Sequence, residues 1–287
     1  PLALPSASGR LVPLRRVFLI GLTAGTALFS AKFGGRPTAL APSGLVGRTP
    51  AGTVAVRSEA VSEFTRGWVT PPGHTASAHS SSICTLPSGD LLAIWYGGSR
   101  EGAADVALFT ARLPAGGADW TAPVRTMDRD TAQQELARVI KKVGNAVVFP
   151  DPAGLLWMVY VSVSVGGWSG SALNVRTSRD EGRSWSESER LTLNPFLNLS
   201  TLVRNKPIHA ADGRIGLPVY HEMAAKFPQM LWLTPGADGR VEDYRIRNLA
   251  TEPGLIQPTL VPLGGGRVLM LLRDRGAGRN VHTAYSD

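Results

Sequence analysis

The sequence predicts an all-β fold of the β-propeller type, and three observations support this prediction. A strand–turn–strand unit recurs four times, and its turn glycines lie 65, 59 and 53 residues apart. An aromatic residue follows the turn glycine by 31 residues in three of the four units. The chain contains 32 Gly and 21 Pro, as expected for many turns. Repeats of this length are typical of four-stranded blades arranged around an axis. The turn glycines are Gly89, Gly154, Gly213 and Gly266.

The first element along the chain is predicted to be a targeting segment. Arg15 and Arg16 precede an apolar run over residues 17–30, in the order found in signal peptides. The run is short for a membrane span. We therefore expect a signal peptide or membrane anchor over residues 1–31, a Gly- and Pro-rich linker over 32–56 and the propeller over 57–287. The protein is then exported to the periplasm or the cell exterior, or held at the inner membrane by this segment, which contacts the membrane.

The remaining elements are predicted to be paired hairpins. Each repeat begins with a first hairpin, at residues 80–96, 145–160, 206–220 and 257–273. A second hairpin follows in three repeats, with a strand at 105–112, 172–177 or 230–234, and is closed by Trp120, Trp185 or Tyr244. Two hairpins make one blade, so we expect about four blades here and about two more in a closed, six-bladed ring. Only residues 131–142 have the apolar spacing of a helix.

Charge and cysteine content exclude several classes of function. The net charge is +8, but residues 1–73 carry eight basic and two acidic side chains, so the rest of the chain is nearly balanced. Because nucleic-acid binding needs a clustered basic face, we expect no nucleic-acid partner. The single cysteine, Cys84, excludes an internal disulfide framework and a cysteine-based zinc site. We expect no metal or organic cofactor.

One turn in the second repeat carries a recognisable motif. Residues 178–185 read Ser-Arg-Asp-Glu-Gly-Arg-Ser-Trp. This segment resembles the Asp-box, or bacterial neuraminidase repeat, whose Asp accepts backbone N–H groups across the turn while Gly supplies a positive φ. Asp180 is therefore predicted to be structural. Asp-boxes occur in several kinds of propeller, so the motif indicates a fold and leaves the chemistry open.

The segment after the first hairpin suggests a chemistry. Residues 95–106 read Trp-Tyr-Gly-Gly-Ser-Arg-Glu-Gly-Ala-Ala-Asp-Val. From about residue 74 onward the chain resembles the sialidase superfamily. The resemblance implies that Arg100 binds a sugar carboxylate through paired hydrogen bonds and that Asp105, five residues later, is the general acid that protonates the leaving oxygen.

The sequence departs from the family pattern at other positions. His79 stands where the resemblance places the first arginine of a carboxylate-binding triad, and a histidine offers no permanently charged fork. Arg273 corresponds to the second arginine. The Glu that partners the nucleophile in the family has no clear equivalent here, and Gln257 lies nearest to its place in the sequence. The nucleophilic Tyr and third arginine are expected beyond residue 287. The substrate is therefore expected to be an acidic sugar that need not be sialic acid.

Further polar residues fall where inner strands are predicted to begin or end. Such positions are unusual for polar side chains unless they line a central pocket, so they are candidate substrate contacts. They are Asn145, Arg204, Asn205, Lys206 and Glu222. Tyr96, Tyr160 and Tyr220 also end inner strands, but as repeat residues they are predicted to pack in the core. Trp168 lies in a Gly-rich loop, where its ring could either stack on a sugar or pack.

These observations favour an exported, exo-sialidase-like glycoside hydrolase that cleaves a terminal, acidic sugar from a glycan. Two alternatives stay open. One is a propeller that binds carbohydrate or another surface without catalysis. The other is a different glycan-cleaving enzyme on the same fold, such as a lyase or a non-sialic glycosidase that uses His79.

Overall fold

The computed structural model describes residues 45–46, 66–194, 197–223, 225–249, 253–276, 278 and 280–286. The predicted signal peptide or anchor (residues 1–31) lies outside these residues, as does the predicted linker except for Leu45 and Val46. No helix within the described ranges is long and apolar enough to span a membrane.

The described residues form 17 strands in four antiparallel sheets. The first sheet contains β2 (Ser77–Thr85), β3 (Leu91–Gly98), β4 (Ala107–Leu113) and β5 (Val124–Asp128). The second contains β6 (Lys142–Pro150), β7 (Leu156–Val163), β8 (Ser171–Ser178) and β9 (Glu189–Arg190). The third contains β10 (Thr201–Val203), β11 (Ile208–Ala210), β12 (Ile215–His221), β13 (Phe227–Pro235) and β14 (Val241–Asn248), with β1 (Leu45–Val46) paired to β11. The fourth contains β15 (Leu255–Gly264), β16 (Arg267–Asp274) and β17 (Val281–Ser286).

The sheets are successive blades of a propeller, as the repeat predicted. Apart from the two-residue β1, the strands of each sheet follow chain order from the innermost to the outermost. Among the inner strands, β2 contacts β6, β6 contacts β10 and β11 contacts β15. Separate apolar clusters fill the spaces between the first and second, second and third, and third and fourth blades. Strand β7 is buried along its whole length. The polar ends of the inner strands are consequently brought to one place.

Two local predictions differ from the structure. The helix, α1, spans Arg129–Glu135. It begins two residues before the predicted start because Asp128 caps it by accepting the Thr131 N–H at 2.8 Å. It ends well before residue 142 because Ala137 has a positive φ of 48° and Lys142 already begins β6. Tyr244 lies inside β14 opposite Leu233, whereas Trp120 and Trp185 precede the fourth strands of their blades. The third blade has a short turn at Gly236–Gly239, so its fourth strand begins sooner.

The Asp-box turn has the predicted structural role. The Asp180 carboxylate accepts hydrogen bonds from the Ser184 N–H at 2.8 Å, the Ser184 hydroxyl at 2.6 Å and the Ser178 hydroxyl at 2.7 Å. The Gly182 N–H donates to Ser178 Oγ at 2.7 Å. The Ser184 and Ser178 bonds hold the pKa of Asp180 well below its ordinary value, so the group is ionised and fixed in the turn.

Replacing Asp180 by Ala is therefore expected to lower the melting temperature of the protein, because the Ser184 N–H and two hydroxyls lose their shared acceptor. Arg183→Ala is the matched control, since it removes only an exposed side chain that donates to the Asp180 carbonyl. Thermal unfolding followed by circular dichroism measures both, and an equal decrease in the two variants contradicts the role assigned to the carboxylate.

Candidate functional site

A polar cleft of about 480 Å³ lies where the inner strands of the four blades converge. Every blade contributes to its lining. The lining residues are His79, Ser80, Tyr96, Glu101, Asn145, Trp168, Leu202, Arg204, Tyr220, Glu222, Ile256, Gln257, Arg273 and Arg275.

Two larger grooves, each of about 630 Å³, lie away from this convergence. One runs beside the Asp-box turn, and its arginines are already paired, Arg112 with Asp90 at 2.9 Å and Arg176 with Glu135 at 3.1 Å. The other follows β2 past Trp68 and Trp95 and is mainly apolar. Neither gathers acid, base and cationic groups as the axial cleft does.

Three inner strands carry the same backbone irregularity at the cleft. Ser80, Asn145 and Gln257 have φ values of 51°, 34° and 54°, in the left-handed region that residues other than glycine rarely adopt. Each lies in a register shift of its strand pair, which is the geometry of a β-bulge. In the third blade the inner strand is interrupted instead, between β10 and β11, and Arg204 lies in the gap. Such strain persists where the surrounding structure enforces it and is concentrated at functional sites.

The bulges connect the blades through polar contacts. Ser80 Oγ donates to Asn145 Oδ1 at 2.9 Å, which links the first two blades. Asn205 Nδ2 donates to the carbonyls of Gln257 at 3.2 Å and Pro258 at 2.9 Å, which links the third and fourth. Arg273 Nη1 donates to Gln257 Oε1 at 3.3 Å. Donors and acceptors from four blades therefore surround the cleft at fixed positions.

Three arginines give the cleft a positive character. Arg204 and Arg273 were predicted from sequence, and Arg275 joins them from the connection between β16 and β17. Arg204 Nη1 donates to the Ser81 carbonyl at 3.2 Å, which fixes its guanidinium across the opening between the first and third blades. Planar guanidinium groups bind carboxylates through two parallel hydrogen bonds. The cleft is thus suited to an anionic ligand.

Two tyrosines lie beside carboxylates in the same cleft. Tyr96 and Glu101 line the cleft together, and burial followed by the Glu101 charge raises the pKa of Tyr96 above its ordinary value. Burial raises the pKa of Tyr220 to about 12, and the charge of Glu222, which lines the same cleft, acts in the same direction. Both phenols therefore stay protonated near neutral pH and act as hydrogen-bond donors.

The structure brings six of the ten predicted site residues into the cleft. They are His79, Asn145, Arg204, Glu222, Gln257 and Arg273. His79 is exposed and stacks on Tyr96, with ring centroids 5.6 Å apart. Asn205 does not line the cleft but supports Gln257 from behind. Lys206 and Arg100 are exposed and lie outside the lining.

Asp105, the predicted general acid, also lies outside the lining. Its two carboxylate oxygens accept the Ser99 N–H and the Ser99 hydroxyl, both at 2.9 Å. These bonds lower the pKa of Asp105, which favours a permanently ionised carboxylate over a proton donor. The carboxylate that does face the cleft from this loop is Glu101. The assignment of Asp105 as the acid stays a prediction, and this geometry argues against it.

Sequence reasoning missed Ser80, Glu101 and Arg275 and assigned Tyr96 and Tyr220 to packing. The family resemblance assigns roles to Arg100 and Asp105 only, so it did not identify Glu101, although all three residues belong to one short loop. Tyr160 is a packing residue as predicted, because its side chain is fully buried and its hydroxyl lies 2.8 Å from Ser188 Oγ. Among the described residues, no three His, Cys, Asp or Glu side chains converge as metal ligands would.

His221, the last residue of β12, is a buried histidine that makes the stability of the fold depend on pH. It is 1% exposed, and its ring stacks on that of Phe227 with the two centroids 4.9 Å apart. Burial lowers the pKa of His221 from 6.5 to about 4. Between pH 6.5 and 4 the unfolded chain binds a proton here that the folded chain does not. We therefore expect His221 to lower the free energy of unfolding by about 3 kcal/mol as the pH falls through that window.

Urea unfolding of wild-type and His221→Phe proteins between pH 4 and 7 tests this expectation. The phenylalanine keeps the ring stack, and every carboxylate that also titrates is common to both proteins. The wild-type protein should lose more stability than the variant as the pH falls. Parallel curves would show that His221 does not titrate as inferred.

The comparisons with known proteins agree with this architecture. Residues 89–287 match the family described as BNR repeat-like domain. No curated protein matches the chain. Similar solved structures include a Hadza microbial sialidase, with 18% identity over 74% of this chain and 45% of that one and a TM-score of 0.60. The NanB sialidase from Streptococcus pneumoniae has 11% identity over 74% of this chain and 52% of that one, with a TM-score of 0.53.

A third similar structure is an exo-β-1,3-galactanase from Clostridium thermocellum, with 14% identity over 75% of this chain and 47% of that one and a TM-score of 0.52. This chain therefore spans about half the length of the solved structures named. At these identities the similarity shows the fold, a sialidase-like β-propeller.

Proposed function

Since this chain belongs to the BNR repeat-like family and has a sialidase-like propeller fold, we propose that its axial cleft binds a terminal acidic sugar of a glycan and cleaves the glycosidic bond. The observation that carries the proposal is the combination in one cleft of three arginines with a tyrosine–carboxylate pair. Sialidases and a galactanase among the similar structures act on glycans, which supports the substrate class.

The proposed roles follow from what each group can do. Arg204, Arg273 and Arg275 bind the sugar carboxylate, and the bulge side chains of Asn145 and Gln257 hydrogen-bond the ring substituents. In its protonated form Glu101 gives its proton to the glycosidic oxygen as the C–O bond breaks, and the resulting carboxylate then takes a proton from the water that replaces the leaving group. The resemblance assigns the acid role to Asp105, but the position of Glu101 in the cleft favours Glu101.

The complete protein is the sample for the test, because this chain spans about half the length of its structural relatives. Hydrolysis of fluorogenic sialosides, glucuronides and galacturonides is compared with that of neutral galactosides and arabinofuranosides, and sugar binding is followed by saturation-transfer NMR. Turnover confined to acidic glycosides supports the proposal. Turnover of neutral glycosides alone contradicts the role of the arginines, and the absence of both turnover and binding overturns the proposal.

A glycan-binding protein without catalysis is the second candidate, and the fixed, ionised state of Asp105 favours it. Binding of acidic sugars with no turnover of any glycoside distinguishes this candidate from the first.

We also propose export, on the basis of Arg15, Arg16 and the apolar run that follows. Cell fractionation of the producing bacterium tests it, and recovery in the cytoplasm contradicts it.

A further inference from the structure

A buried lysine lies behind the wall of the axial cleft. Lys142, the first residue of β6, is only 7% exposed, and its Nζ lies 3.8 Å from the centroid of the Trp168 ring. Lysine is almost never buried to this extent without a partner that compensates the lost hydration. A cation over the face of a tryptophan gains the electrostatic attraction of the ring, and this attraction is larger in a desolvated position.

The same ammonium group packs against the loop that carries Glu101. A Cβ atom added to Gly102 would lie 2.9 Å from Lys142 Nζ, so the backbone of this loop closes directly over the lysine. The charged groups around it are Glu101, Arg100 and Lys141. Burial and then Lys141 lower the pKa of Lys142, while Glu101 acts in the opposite direction. Lys142 thus contacts both loops that border this side of the cleft.

Trp168 is held in place from its other sides as well. It begins a short 3₁₀ helix (Trp168–Gly170), lies 6.3 Å from the Tyr96 ring and covers Gly144, where an added Cβ would come within 2.6 Å of the indole. The Gly-rich loop that precedes Trp168 is also fixed by Lys141, whose Nζ donates to the Gly166 carbonyl at 3.3 Å. The indole therefore has one defined position, in which it lines the cleft.

From these contacts we infer that Lys142 is a positioning residue, whose ammonium group fixes the Trp168 ring and the Glu101 loop together as one wall of the sugar-binding cleft. Lys142 does not touch the ligand. The role of this wall in binding sugar rests on the proposed function, whereas the positioning of Trp168 can be measured without any sugar.

The first test is ¹⁹F NMR of protein labelled with 5-fluorotryptophan. The chain has seven tryptophans, so a Trp168→Phe variant assigns the resonance of interest. In Lys142→Met the Trp168 resonance should move toward that of the free amino acid or broaden. Lys142→Arg should keep it near its wild-type position, because a guanidinium also stacks on indole. Arg267→Met, which removes an exposed cation at the start of β16, far from Trp168, is the control and should leave it unchanged. An unmoved resonance in Lys142→Met overturns the inference.

A second measurement needs no change at Lys142 and covers the case in which Lys142→Met does not fold. In the wild-type protein, the Trp168 resonance is followed as the pH is raised, and Lys141→Met is titrated in parallel to identify any step that belongs to Lys141. It should shift as Lys142 loses its proton, with a midpoint below the ordinary lysine value of 10.5. A resonance that stays constant through the titration contradicts the inference.

Sugar affinity separates this inference from the proposed function. Lys142→Met should weaken binding of an acidic monosaccharide by about tenfold, and Lys142→Arg should restore it. If no variant and no wild-type protein binds sugar while the Trp168 resonance responds as described, the proposed function fails and the positioning role stands. If sugar binds equally to all variants and the resonance does not move, the positioning role alone fails.

Discussion

Replacing Glu101 by Gln is expected to lower turnover of the cleaved acidic glycoside by about 10²- to 10⁴-fold, the usual contribution of a general acid or base. Glutamine keeps the size of the side chain, but its amide has no acidic proton to give to the leaving oxygen. Affinity for the free sugar should change little, since the arginines that bind the carboxylate stay in place. The measurement is kcat and KM for the best fluorogenic substrate.

Asp105→Asn is the matched control, because it makes the same chemical change four residues away in the same loop. Its carboxylate is exposed and bonded to Ser99 rather than directed into the cleft. We expect a smaller loss of turnover than in Glu101→Gln. If Asp105→Asn is the more damaged variant, the acid role belongs to Asp105, as the sequence resemblance implies, and the loop must rearrange when substrate binds.

Removal of a cleft arginine should weaken binding of an acidic sugar by about 10- to 100-fold, since hydrogen bonds to charged groups contribute about 1.5–3 kcal/mol. Arg273→Met is the most informative variant, because it leaves the other two cleft arginines in place and removes the bond to Gln257 Oε1. Affinity for a neutral analogue of the same sugar should be nearly unchanged. Isothermal titration calorimetry of the two ligands measures the difference.

Arg267→Met supplies the control for this experiment. Arg267 begins the same strand, β16, at the end remote from the cleft and is also exposed. The two variants therefore lower the net charge by the same amount, and general electrostatic effects cancel. Equal losses in both, or an equal loss for the neutral analogue, would mean that Arg273 does not contact the sugar carboxylate.

The sequence by itself determined the blades. Turn glycines such as Gly89 and Gly154 need a positive φ, and the apolar strands around them pair with their immediate neighbours, so each hairpin is encoded within about 20 residues. The Asp-box is equally local, because Asp180 bonds residues within four positions of itself. Signals of this kind are visible in a single chain without knowledge of distant contacts.

Only the tertiary structure decided the cleft. Ser80, Asn145 and Gln257 come from three blades and line the cleft from β-bulges. A left-handed φ is rare for serine and glutamine, and an asparagine by itself does not predict a bulge. In the loop after β3, the positive φ of Gly102 and the bonds between Ser99 and Asp105 determine that Glu101 faces the cleft and Asp105 does not. Sequence spacing could bring both carboxylates to the right loop. Which of them enters the cleft depends on backbone angles and on packing against Lys142 and Trp168, and these are fixed only when the blades assemble.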